Sequence, residues 1–241
     1  MLSPGMPSSS KVEEGLKKLY GSSLENGEIF ILYLGYSGIL VRTQSNVFAF
    51  DPANLIDRRD VDQLNKLDAI FYSHGHGDHY SKEHASLLSS KTGAYVIADA
   101  SLVSELIDGV QSDRLVQAKL GEKIELRGFS FTSIAGIHRG PIVLFLVEAE
   151  GISIFHGGDS AHVPLGNLRA DIAFVPTGSP SPTASPRDVL KMVSELRPKV
   201  AAAFHGSTSQ NQEFLSLIKE NLNQVKAFPL EEGSAVKVLV K

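Results

Sequence analysis

Three imidazoles and one carboxylate lie within six residues of this chain, in the run His-Gly-His-Gly-Asp-His at residues 74–79. A helix would scatter these side chains, whereas a tight loop that leaves a strand can turn all of them toward one point. Gly75 and Gly77 favour such a loop, because glycine adopts positive φ without steric cost. Imidazole and carboxylate are ligands of zinc and of comparable first-row metals. Because the chain has only eight histidines, we interpret this run as a metal site rather than a solvated turn.

Three further residues of the same ligand types follow β-like stretches later in the chain. They are His138 after residues 129–135, Asp159 after residues 152–156, and His205 after residues 200–204. An apolar stretch at residues 67–72 likewise precedes the first run and predicts a strand that delivers it. A lone histidine is usually structural, so we interpret these later residues as candidate ligands only because they follow the first run in a consistent order.

The pattern H-x-H-x-D-H resembles the signature of the metallo-β-lactamase superfamily. That pattern continues with a lone His, then an Asp in a Gly-Asp context, then a His close to the C-terminus, and this chain supplies all three in order. The resemblance covers roughly residues 28–240. It implies one metal held by three histidines, a second held by one Asp and two histidines, and a bridging Asp. These residues are, in turn, His74, His76 and His138; Asp78, His79 and His205; and Asp159.

The other conspicuous Asp and the remaining histidines receive different interpretations. Asp51, in a Phe-Asp-Pro turn, resembles the family's buried carboxylate beneath the metals, to which a metal-bound His donates its other N–H. A plain turn residue before proline is the alternative. His84, His156 and His162 are predicted not to be ligands: the first falls in a predicted helix, the second points beneath the metals, and the third could line the pocket.

The resemblance implies a hydrolase with two divalent metal ions, of which zinc is the first choice and manganese the alternative. Two such ions can share a water, lower its pKa and produce a bridging hydroxide, which Asp78 could orient. The expected substrate is a small, anionic ester, lactone or phosphoester. An amide such as a β-lactam fits less well, because its poor leaving group needs a protonating partner that the sequence does not show.

Within the superfamily, the compact length and the Phe-Asp-Pro turn are most similar to the ascorbate-phosphate lactonase-like hydrolases. The chain departs from that branch at Gly178-Ser179, where the branch carries Gly-Gly, and at Tyr36, near which relatives often carry a His. Two alternatives stay open. One is a redox or dioxygenase enzyme on the same fold, although the diiron branch typically has Glu at the position of His76. The other is a non-catalytic metal-binding protein.

The order of predicted elements favours a four-layer αβ/βα sandwich with the metals at one edge. Short β runs gather before the helices in each half, unlike the regular alternation of a doubly wound sheet. Residues 1–27 are expected to form a tail and a short helix, and residues 28–241 one hydrolase domain. The run Ser-Pro-Arg-Asp, which begins at Ser185, predicts the start of a helix. The irregular residues 177–185 before it could form a rim over the pocket, with hydroxyl donors in residues 177–183, or a plain surface loop.

Composition limits the other classes of function. The chain has 241 residues, 42% of them hydrophobic, and a net charge of −4 with no Lys or Arg run longer than two, which argues against a nucleic-acid surface. It has no cysteine, so disulfides and thiolate ligands are excluded. No apolar run reaches about 18 residues, and the N-terminus lacks the apolar region of a secretory signal. We therefore expect a cytoplasmic enzyme with a small-molecule substrate, no membrane partner, and a possible homo-oligomer.

Overall fold

The computed structural model describes residues 9–178 and 184–241, whose strands form two seven-stranded sheets. The first sheet contains, in spatial order, β14 (Ala235–Leu239), β1 (Glu28–Gly35), β2 (Gly38–Arg42), β3 (Val47–Phe50), β4 (Ala69–Phe71), β5 (Tyr95–Ala98) and β6 (Leu115–Gln117). The second contains β13 (Lys226–Pro229), β12 (Val200–Phe204), β11 (Ile172–Pro176), β10 (Ile152–His156), β9 (Val143–Ala149), β8 (Phe129–Ala135) and β7 (Lys123–Leu126).

Six helices among the described residues cover the outer faces of these sheets. They are α1 (Ser9–Gly21), α2 (Arg58–Val61), α3 (Lys82–Thr92), α4 (Ala100–Leu106), α5 (Pro186–Leu196) and α6 (Thr208–Asn221). Apolar residues of the first four helices share one core with the first sheet, and those of α5 and α6 share another with the second sheet. A third core lies between the sheets. The predicted four-layer sandwich is confirmed.

Phenylalanines fill the space between the two sheets near the edge where the metal site is predicted. Phe71 at the end of β4 stacks on Phe50 of the same sheet, with ring centroids 5.1 Å apart. It also contacts Phe145 of the second sheet at 5.1 Å. Offset and tilted aromatic pairs of this kind add to the free energy of burial. These aromatic contacts hold the ends of the neighbouring strands in fixed positions.

The direction of the strands explains how distant residues meet. Strands β3 to β6 run parallel to each other, as do β10 to β13. The carboxyl ends of parallel strands lie at one edge of a sheet, and ligand sites form there in open α/β sheets. Asp51, residues 74–79, Asp159 and His205 all follow such ends, those of β3, β4, β10 and β12.

Helix α1 packs against the first sheet. The predicted short helix buries an apolar face, with Val12, Leu16 and Leu19 in the same core as Leu32 of β1. A Cβ on Gly15 would lie 2.3 Å from Leu32 Cδ1, so a larger residue there would require the Leu32 side chain or the helix to shift. The division of the chain at residues 27 and 28 stays a prediction.

The described residues contain no helix that is both long and apolar enough to cross a membrane.

Candidate metal centre

Residues 74–79 form a tight loop shortly after β4. The backbone N–H groups of His79 and Tyr80 both donate to the carbonyl of His76, at 2.9 and 2.8 Å. Neither Gly75 nor Gly77 has a positive φ, so the predicted reason for these glycines is wrong. A Cβ on Gly75 would lie 3.1 Å from a methyl carbon of Leu102 in α4, a tight contact that Leu102 would have to relieve by a small shift.

Three of the predicted ligands form a first cluster at this loop. His74 Nε2 lies 3.1 Å from His76 Nδ1, and His138 Nε2 lies 3.2 Å from the same atom. Each of the three residues offers one ligand atom, and these atoms all lie within 4.8 Å of one another. His74 is buried, whereas the ring of His76 reaches the surface. The loop after β8 therefore brings His138 to the loop after β4, as the series predicted.

A second cluster contains Asp78, His79 and His205, again with one ligand atom each within 4.8 Å. His205 Nε2 lies 3.3 Å from Asp78 Oδ2 and 3.5 Å from Asp159 Oδ2. His79 Nε2 lies 3.8 Å from Asp78 Oδ2 and 3.3 Å from Asp159 Oδ1. Asp159 is thus adjacent to the second cluster through both of its oxygens, and a bridge from it to the first cluster stays a prediction.

Asp51 lies behind these ligands and is fully buried. Its oxygens accept hydrogen bonds from the Ser73 N–H at 2.7 Å, the Ser73 hydroxyl at 2.6 Å and the His79 ring at Nδ1, 2.9 Å away. Asp51 also groups with His74 and His79 as a possible third cation site. Because both of its oxygens already accept these bonds, we interpret it as the carboxylate that orients His79.

Ser73 fixes the orientation of His74 as well, which the sequence analysis did not recognise. The hydroxyl has one proton and donates it to Asp51, so its 2.9 Å contact with His74 Nδ1 requires the ring to be the donor. A neutral His74 with its proton on Nδ1 has its lone pair on Nε2, the atom that faces His76. The only signal in the sequence is that Ser73 directly precedes the first ligand.

Burial and neighbouring charges set the protonation of the clusters. Burial, together with the charge of His79, lowers the pKa of His74 to about 3. The hydrogen bond from His205 lowers the pKa of Asp78 to about 2. Burial alone would lower the pKa of His79, but its hydrogen bonds to Asp159 and Asp51 outweigh burial and raise it. A buried ring between two carboxylates requires a cation, either a proton on the ring or a metal ion beside it.

Two positions at the site have a backbone conformation that is uncommon for residues other than glycine. Asp51 has a φ of 43° and His205 a φ of 61°. Such positions cost about 1–3 kcal/mol each and persist where the surrounding structure determines them. At His205 the next residue must be glycine, because a Cβ on Gly206 would lie 1.9 Å from Thr177 Oγ1. The chain is thus strained at two of the positions from which side chains enter the site.

The donor atoms present fit a pair of divalent cations. A proton on His76 Nδ1 could form a hydrogen bond to Nε2 of His74 or to Nε2 of His138. One cation bound by all three rings would instead accept the lone pair of each facing nitrogen. The low pKa of His74 keeps that ring in the neutral form that binds metals. All the donors are nitrogen or oxygen, a set that zinc and manganese both accept.

The other predicted residues lie outside these clusters. His156 stacks between Phe50 and Phe204, with centroids 5.0 and 5.2 Å away, beneath the site. His84 contacts Ser81 at the start of α3, and His162 lies 2.8 Å from Glu195 Oε1 rather than in the site. That these three are not metal ligands stays a prediction.

Residues 177–183 were predicted to supply hydroxyl donors to the pocket, and for Thr177 this prediction is wrong. Thr177 is buried, and its hydroxyl donates to Asn211 Oδ1 at 2.6 Å. Residues 179–183 lie outside the described part of the chain, so the predicted rim there stays a prediction.

The turn between β1 and β2 reaches the site: the Ser37 hydroxyl donates to the Asp78 carbonyl at 3.2 Å. In the same turn Tyr36 has a φ of 50°, and its carbonyl accepts a hydrogen bond from the Tyr33 hydroxyl.

Comparison with known proteins agrees with this arrangement. The family model of the beta-lactamase superfamily domain matches residues 30–205. The chain belongs to this superfamily. A UPF0173 protein of Pyrococcus abyssi is 29% identical to it over 185 residues, which cover 74% of this chain and 83% of the relative. A UPF0173 metal-dependent hydrolase of a Geobacillus species is 26% identical over 235 residues, covering 86% of this chain and 99% of the relative. The predicted superfamily and hydrolase class are confirmed.

Solved structures of other proteins share the fold of this chain. Igni18, a metallo hydrolase from Ignicoccus hospitalis, has a TM-score of 0.72 at 20% identity, covering 88% of this chain and 98% of that one. CmlA, a diiron β-hydroxylase from Streptomyces venezuelae, has a TM-score of 0.67 at 12% identity, covering 90% of this chain and 55% of that one. Neither the lactonase-like branch nor the choice of zinc or manganese follows from these comparisons, and both stay predictions.

Proposed function

We propose that this protein is a dinuclear metal-dependent hydrolase of a small, anionic ester, lactone or phosphoester. The observation that supports it most is the pairing of two three-ligand clusters at one sheet edge, with Asp159 directly beside one of them. In the proposal His74, His76 and His138 would hold one ion, Asp78, His79 and His205 would hold the other, and Asp159 would contribute to both. Bound together, two divalent cations supply Lewis acidity and lower the pKa of a shared water.

The three carboxylates of the site receive different roles from their environments. The side chain of Asp78 is 40% exposed, whereas that of Asp159 is 2% exposed and Asp51 is fully buried. Asp78 is therefore the carboxylate that a water and a substrate can reach. Its pKa of about 2 keeps it ionised at neutral pH, so it can accept a hydrogen bond from the attacking water and orient it.

An anionic substrate is supported by the charge around the clusters. Arg139 directly follows His138, is exposed, and forms no ion pair or hydrogen bond with the residues that the structure describes. It is therefore free to pair with a carboxylate or phosphate of the substrate, for which the planar guanidinium is well suited. The net charge of −4 does not favour anions in general, so this attraction has to be local.

The test of this proposal is a substrate panel combined with one substitution. Zinc- or manganese-loaded protein is assayed on esters, lactones, phosphomonoesters and phosphodiesters. Asp78→Ala should lower kcat about 100-fold or more with a smaller change in KM, because it removes a ligand and the group that orients the water. Asp113→Ala, an exposed Asp away from the site, is the control.

Two outcomes would contradict the proposal. Full turnover of Asp78→Ala with both ions bound would show that Asp78 does not act on the water. Tight metal binding without cleavage of any compound in the panel would favour the non-catalytic alternative. The redox alternative has its own signature, because it requires iron in the purified protein together with an activity that consumes oxygen.

A further inference from the structure

A cavity of about 720 Å³ opens beside the His138 segment, at the same edge of the sandwich as the metal clusters. The carboxyl ends of β5 and β6 form one side, and the end of β8 and the start of β9 form the other. Gly136 and Gly140 both line it, on either side of His138. Its volume lies within the range of small-molecule pockets in proteins, about 300–1,000 Å³.

The interior of this cavity is apolar. The side chains concerned are those of Ala118, Leu120, Ala135, Pro141, Ile142 and Val143. Among them Leu120 is 57% exposed, one of four large hydrophobic side chains that the described part of the chain exposes. A second, Ile137, is 58% exposed and lies in the segment between Gly136 and Gly140. Burial of such exposed apolar side chains by a bound group is favourable, because it removes apolar surface from water.

The two charged side chains that line the cavity, Asp99 and Lys119, already have partners. The Asp99 carboxylate accepts hydrogen bonds from the N–H and the hydroxyl of Ser101, at 2.6 and 2.5 Å, as the cap of α4. Lys119 Nζ lies 3.9 Å from Glu122 Oε2. Neither charge requires a counter-ion in the cavity, so the group that fills it is expected to be uncharged and apolar.

The wall between the cavity and the first metal cluster is rigid. Ile137 N–H donates to the Ser160 hydroxyl at 2.8 Å, and Ala161 N–H donates to the Ile137 carbonyl at 2.9 Å. A Cβ on Gly136 would lie 2.8 Å from Ile142 and 2.9 Å from Ser160 Oγ, so only glycine fits there. Leu120 is fixed in the same way, since it pairs with Ser133 and the next N–H donates to the Ser133 carbonyl at 2.8 Å. The cavity is thus preformed, and His138 of the first cluster lies in the segment between two of its lining glycines.

We propose that this cavity binds a hydrocarbon chain of the substrate, so that the scissile group at the metals carries an acyl or alkyl tail. The inference rests on the proposed function and extends it from anionic esters in general to those with an apolar chain. A buried methylene is worth about 4-fold in affinity. A chain that enters a preformed apolar cavity should therefore bind more tightly with each added carbon until the cavity is full.

The test uses n-alkylphosphonates from methyl to octyl, which are anionic and are not hydrolysed. Isothermal titration of the zinc-loaded protein should show a Kd that falls about 2- to 4-fold per methylene over the shorter chains. Leu120→Asp should flatten this dependence, because it places a carboxylate in the cavity. Leu239→Asp is the matched control, since Leu239 is 60% exposed and lies on β14, at the opposite edge of the first sheet from β6, and it should keep the wild-type dependence.

A Kd that does not change with chain length in the wild-type protein would overturn the inference. An unchanged dependence of Kd on chain length in Leu120→Asp would also overturn it. That outcome includes the case in which Leu120→Asp only dissociates a dimer, which would show that Leu120 belongs to an interface between copies of the chain. The proposed function fails separately, if no ester, lactone or phosphoester is cleaved. In that event a chain-length dependence that Leu120→Asp removes would still support the cavity.

Discussion

Ser73 contacts the proposed ligand His74 directly and the proposed ligand His79 through Asp51, and replacing it by alanine isolates the first of these contacts. Ser73→Ala removes the hydroxyl that donates to Asp51 at 2.6 Å and accepts from His74 at 2.9 Å. The Ser73 N–H still donates to Asp51 at 2.7 Å, and the Asp51 carboxylate still accepts from His79 at 2.9 Å. Among the described residues, His74 therefore loses its only polar partner away from the cluster, while His79 keeps its own. The effect should fall on the first cluster.

The expected size of this effect follows from the role of groups behind metal ligands. Loss of such a group typically lowers metal affinity about 10- to 100-fold. We expect a loss in that range for the ion held by His74, His76 and His138, equivalent to about 1.4–2.8 kcal/mol. The ion held by Asp78, His79 and His205 should lose less, because Asp51 remains in place.

Competition with a chromophoric chelator measures the two zinc affinities separately. Ser133→Ala provides the control, since this buried hydroxyl has no hydrogen-bond partner among the described residues and lies in β8. It should leave both affinities as they are. Unchanged binding in Ser73→Ala would refute the hydrogen-bond path from Asp51 to His74. An equal loss at both ions would show that Asp51, rather than His74, depends on the hydroxyl.

Two further predictions concern metal content and protons. His84→Ala should retain the metal content of the wild-type protein in elemental analysis, because His84 lies in α3 and contacts Ser81 at the start of that helix; a loss of one equivalent would place it among the ligands. Zinc binding near pH 7 should release protons, because nearby carboxylates raise the pKa of His79 and His205 in the metal-free protein and bound rings are neutral. Apparent affinity then rises with pH through those raised values. Calorimetry in two buffers of different ionisation enthalpy counts the protons, and a count of zero would contradict this assignment.

The positions of the candidate ligands could be predicted because each of them follows a strand. Strand runs are readable from apolar stretches, and the parallel order of β3 to β6 and of β10 to β13 brings their ends to one edge. Local capping was equally readable. Ser185 caps α5 with Asp188 in a reciprocal pair, with proline at the first helical turn, as the sequence indicated.

Features that depend on packing could not be predicted in this way. Residues 74–79 suggested positive φ at two glycines, whereas the strained backbone lies at Asp51 and His205, which neighbouring strands hold in place. Residues 115–117 have no pattern that predicts a strand, because β6 is short and only partly buried at the sheet edge. The apolar cavity depends on that strand, so no reading of the sequence alone could have found it.

The exposure of Asp78 and the position of the cavity together indicate how a substrate would approach. The proposed hydrocarbon chain lies on the side of His138, between β6 and β9, and Arg139 lies in the same segment. The turn between β1 and β2 contacts the Asp78 backbone instead, through Ser37. An ester that crosses the two clusters would then place its tail toward β6 and its leaving group toward that turn. In this orientation the scissile bond would lie at the clusters beside Asp78, whose side chain is 40% exposed and so open to the attacking water that it is proposed to direct.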